Sequence, residues 1–166
     1  MDLSEQDLKK IKSLHVMLKM PIWILERETN RVLKSYKSIY KHPISYEFKE
    51  KNISDEVVRF YSGMLNEIFL CLWYQDVRIV IGAFRINNVT STEFSHVYDN
   101  LTPENKKILS EKECWEYYSS LPVYPLGDIR DYLILLGFLF DMNLEEIYSE
   151  ELHKQVTENQ LERSEE

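Results

Sequence analysis

The sequence predicts an α+β fold, in which an antiparallel sheet built from hairpins is followed by a mostly helical C-terminal half. Three observations predict it. Two pairs of short apolar runs are each joined by a polar turn, at Ile22–Tyr36 and Ile68–Ile81. Every clear β signal lies in the first half of the chain. From Thr90 onward, helix-start signals recur ahead of apolar residues at three- and four-residue spacing. Strands that come in pairs favour antiparallel neighbours, with helices gathered on one face or end. The nearest architecture is a PAS- or GAF-like sensor sheet.

The first element is a helix. Leu8, Ile11, Leu14 and Leu18 fall on one side of it, Ser4 is placed to cap it with Asp7 three residues on, and Pro21 ends it. Ile22 to Leu25 and Val32 to Tyr36 then form a hairpin around Arg27–Arg31, where Asn30 tolerates the left-handed backbone of a turn. Ile44 to Phe48, including Tyr46, alternates apolar and polar as a strand does. Ser54-Asp55-Glu56 reads as the start of a short helix with Val57, Val58, Tyr61 and Leu65 on one side.

Ile68 to Tyr74 is continuously apolar, Gln75-Asp76 is a two-residue turn, and Val77 to Ile81 returns. Such a hairpin is expected at the centre of the sheet, covered on both faces. Gly82 follows it, where a bulge or a close backbone approach is expected.

The helical half opens with Thr90-x-x-Glu93, continues with Thr102-Pro103 and Ser110-x-x-Glu113, and reaches its most apolar stretch at Tyr132–Phe140. That stretch, within Leu126–Met142, is apolar on all sides, so the helix is expected to be buried or to lie at an interface. A last helix from Asn143 carries Leu144, Tyr148, Leu152 and Val156 in a four-residue row, a candidate dimer contact. The expected organisation is a sensor-like α+β domain over residues 1–142 and a C-terminal helix, linker or dimerisation segment over 143–166. The charged ending Glu162-Arg163-Ser164-Glu165-Glu166 has no capping Gly, as expected of a helix that continues in a longer protein.

Composition narrows the function. The chain has 166 residues, 44% of them hydrophobic, which suits one domain with a sizeable core. Its net charge of −8 repels phosphate, which argues against direct binding of nucleic acid or of an anionic membrane surface. No apolar run reaches the roughly 18 residues of a membrane span. The N-terminus, Met1-Asp2-Leu3-Ser4-Glu5, lacks the pattern of a signal peptide, and a cytoplasmic location is expected.

Catalytic signals are weak. Cys71 and Cys114 stand apart with no Cys-x-x-Cys spacing, and are expected to be reduced and inert. There is no Gly-x-Ser-x-Gly elbow and no Gly-rich phosphate loop. Glu93-x-x-His96 and Glu150-x-x-His153 repeat the spacing used by di-iron bundles, but such bundles need four long helices, and here the first half carries hairpins. Neither an enzyme nor a cofactor is expected. Aromatic side chains on or beside the strands are the better candidates. Trp23, Tyr36, Tyr46, Phe69, Trp73 and Phe84 are candidates to line an effector pocket, with ordinary core packing as the alternative. Arg85 is an anion-binding residue of that pocket, a surface residue or, as favoured here, one half of a structural ion pair.

Three segments carry a family resemblance: Leu14-His15-Val16-Met17-Leu18-Lys19-Met20-Pro21-Ile22-Trp23-Ile24-Leu25, Val80-Ile81-Gly82-Ala83-Phe84-Arg85-Ile86 and Tyr117-Tyr118-Ser119-Ser120-Leu121-Pro122-Val123-Tyr124. In order and spacing the chain resembles, over residues 8 to 150, the N-terminal sensor region of AraC/XylS-type transcription regulators of Gram-positive bacteria. Those proteins usually carry Gly-Pro-x-Arg after the central strand. Gly82, Phe84 and Arg85 fit this pattern, while Ala83 stands where the Pro would be and keeps a backbone N–H.

The resemblance implies a regulatory domain that receives a small-molecule or peptide effector, forms a homodimer, or does both. DNA would be reached only through helix-turn-helix motifs in a domain that is not in this chain. No such motif with a basic recognition helix occurs in residues 90–166. The competing readings are a free-standing interaction module or adaptor acting through its C-terminal helix, and a small enzyme.

Overall fold

The computed structural model describes residues 3–37, 58–63 and 65–141. It has the expected α+β class, with, among the described residues, one five-stranded antiparallel sheet and five helices. The expected strand at 44–48 and the last helix from Asn143 lie outside the described residues.

Helix α1 (Glu5–Leu18) starts in a reciprocal capping box. The Ser4 side chain accepts from the Asp7 N–H, and the Asp7 carboxylate accepts from the Ser4 N–H. It buries Asp7, Ile11, Leu14 and Leu18, one stripe at helical spacing. Strands β1 (Ile22–Glu26) and β2 (Val32–Tyr36) form the first hairpin, and Asn30 takes the left-handed conformation with φ 58°. Strands β4 (Ile68–Tyr74) and β5 (Val77–Phe84) form the second around Gln75-Asp76.

One expectation is corrected. Val58–Ser62 is not helical but is strand β3, paired residue for residue with β4 from Val58↔Leu72 to Ser62↔Ile68. Pairing with β4 decides the matter, and the side chains alternate accordingly. Val58 and Phe60 point into one core and Tyr61 packs against the other. Three of its five residues are β-branched or aromatic, the types that suit a pleated, half-buried surface.

The strand order is β2-β1-β5-β4-β3, so the apolar β4–β5 hairpin is central. Both of its strands are buried along nearly their whole length because both faces of the sheet are covered. On the first face, Ile22, Ile24, Leu70, Leu72, Ile79 and Ile81 pack under α1 and under α5 (Leu126–Phe140). On the second, Phe69, Cys71 and Val80 pack under α2 (Ser91–Asp99) and α4 (Glu111–Ser120), joined by the short α3 (Pro103–Ile108). Thr90, Thr102 and Ser110 cap these three helices, each side-chain oxygen accepting a backbone N–H three residues on. Among the described residues, each helix start in this half except that of α5 is therefore announced by a hydroxyl residue. No helix among the described residues is long and apolar enough to cross a membrane.

Candidate functional site

The end of β5 is where sheet and helices are tied together. Along β5, Val77, Ile79 and Ile81 face the first core and Val80 the second. At Gly82 the register slips: Phe69 pairs with Gly82 and Ile68 with Phe84, so Ala83 is an inserted residue. A one-residue slip exchanges the faces. Ala83 therefore joins the second core and Phe84 the first. A Cβ on Gly82 would stand 2.7 Å from Phe69 Cδ1 and 2.9 Å from the Ile68 carbonyl oxygen, so glycine is required by close approach.

The slip also aims Arg85 at α4. Its guanidinium donates to the Leu121 carbonyl from Nε (3.2 Å) and Nη2 (2.9 Å), and from Nη2 to the Ser119 carbonyl (3.3 Å). Its Cζ lies 5.3 Å from the Tyr118 ring centroid. The backbone follows: the Arg85 N–H donates to the Pro122 carbonyl (2.8 Å) and the Tyr124 N–H to the Arg85 carbonyl (2.7 Å). A helix C-terminus leaves carbonyls unpaired and carries partial negative charge, so a buried guanidinium serves it well. Arg85 acts as a side-chain cap on α4, and among the described residues its hydrogen-bond partners are carbonyls rather than the carboxylate of the expected ion pair.

The aromatic residues proposed for a pocket do not converge. Trp23 and Phe69 pack on the second face, with ring centroids 6.3 Å apart. Trp73, two residues from Cys71, shares that face, with its ring 4.0 Å from Cζ of its cross-strand neighbour Arg78 and 4.6 Å from Cζ of Arg27. Arg78 is buried and donates to Asn30 Oδ1 (2.7 Å). Tyr36 and Phe84 lie on the opposite face. Tyr36 stacks on His15 at 5.8 Å, and Phe84 meets Tyr124 at 5.9 Å. Tyr46 lies outside the described residues, as do Leu144, Tyr148, Leu152 and Val156.

A cavity of about 30 Å³ lies on the first face, walled by Leu18, Met20, Phe84, Tyr124, Ile129 and Leu136 among others. Among the described residues, only Phe84 of the expected pocket set reaches it. Tyr124, which the sequence did not single out, closes one side and donates from its hydroxyl to the Leu18 carbonyl (2.9 Å). A cavity of this size takes a water-sized molecule.

Both cysteines lie in the second core. Both are buried and free, and burial pushes the Cys71 thiol up to about 12 and the Cys114 thiol up to about 11. Glu93 and His96 sit on the exposed side of α2.

Helix α5 carries the most exposed large hydrophobic side chain among the described residues. Its inner side buries Ile129, Leu133, Leu136 and Phe140 against the sheet. Its outer side presents Phe138, 83% exposed, flanked by the half-buried Ile134 and Leu135. These residues are three and four apart, so they form one apolar ridge on the side away from the core. The sequence signal for it is the unbroken apolar run, which exceeds what one core-facing stripe needs. No family model, no curated protein and no solved structure matches this chain.

Proposed function

We propose that this chain is the regulatory domain of a transcription regulator and that it self-associates through its helical C-terminal half. The carrying observation is the second apolar side of α5, with Phe138 83% exposed. An apolar ridge on an acidic, well-buried domain marks a binding surface. Regulators that read paired DNA half-sites need two-fold symmetry, and a self-complementary patch supplies it. The net charge of −8 supports leaving DNA contact to another domain. The absence of convergence among Trp23, Tyr36, Phe69, Trp73 and Phe84 favours self-association over effector reception as the role of this part. An adaptor would offer the same ridge to a different protein.

Light scattering at micromolar concentration tests the reading. The expected result is a particle of twice the 20.0 kDa chain. A particle of single-chain mass that does not grow with concentration refutes self-association and leaves the adaptor reading.

A further inference from the structure

We draw no further inference here: the strongest candidate, the apolar cavity of about 30 Å³ between the sheet, α1 and α5, is large enough only for a water-sized molecule, and its wall is the hydrophobic core already described.

Discussion

Arg85 grips the carbonyl oxygen of Leu121 with two nitrogens, joining the residue that follows β5 to the C-terminal cap of α4. The pair closes the second core where the chain crosses from one face of the sheet to the other. Arg85→Met keeps the stem but leaves buried carbonyls without a donor. The expected loss is about 1.5–3 kcal/mol, the usual cost of removing a charged donor from buried acceptors. Arg85→Lys recovers only part of it, because one ammonium does not reproduce the planar fork. Urea denaturation of the three proteins checks this. Equal stabilities for the wild type and the Arg85→Met variant would mean that the carbonyls are served by water.

Trp73 is a second test, this time of the sheet. It is 8% exposed on a central strand and stacks on the guanidinium of Arg78. Trp73→Ala is expected to cost about 3–5 kcal/mol by leaving a large cavity. A measured loss under roughly 1 kcal/mol would place the indole at the surface and contradict the packing of the β4–β5 hairpin.

These two residues also show what the sequence reveals and what it hides. Trp73 was legible because a seven-residue apolar run before a two-residue turn has one good interpretation, a covered hairpin strand. The helix starts were legible because a hydroxyl cap is a local interaction. Strand β3 was not. Ser54-Asp55-Glu56 resembles a helix start, and Val57, Val58, Tyr61 and Leu65 fit helical spacing as well as strand alternation fits Val58 and Phe60. Pairing with β4, a partner that local spacing does not reveal, decides between them.

The placement of the aromatic set was hidden for a related reason. Strand residues alternate between faces, and the slip at Gly82 reverses the alternation for Phe84 and Arg85. Gly82 announced a bulge, but its consequence for the two following side chains depends on where in the ladder the extra residue sits.

Acid should loosen the junction of α1 and the central hairpin. Burial alone would raise the Asp7 carboxyl above its ordinary value of 3.8, but hydrogen bonds from the Tyr74 hydroxyl (3.0 Å) and from Ser4, with the charge of Lys10, outweigh it and leave it lowered. A lowered carboxyl contributes stability that is present above its unfolded value and lost as pH falls through the folded one. Wild-type protein should therefore lose stability more steeply than Asp7→Asn as pH falls below the ordinary carboxyl value of 3.8. The melting temperature measured across that range reads the difference. Parallel curves for the two proteins would mean that Asp7 carries no such linkage. Burial, and then the bond to Asp7, raise the Tyr74 hydroxyl, so Tyr74→Phe should reduce the acid sensitivity as well.

The last prediction locates the self-association surface. Two segments compete for it. One is the ridge of Ile134, Leu135 and Phe138 on α5, and the other is the row Leu144, Tyr148, Leu152 and Val156 farther along the chain. Phe138 is 83% exposed, so its replacement by Asp leaves the core intact while placing a charge at the centre of the ridge. Two like charges facing each other across a two-fold axis, each deprived of water, oppose association strongly. If α5 forms the contact, Phe138→Asp gives a single-chain particle by light scattering with an unchanged melting temperature at low concentration, and Leu152→Ser with Val156→Ser leaves the dimer in place. If the later row forms it, the outcomes exchange: the double variant dissociates and Phe138→Asp remains dimeric. Dissociation by both variants, each still folded, would make the interface a bundle built from both segments. Persistence of the dimer in both would remove these two segments from the contact and overturn the assignment to them.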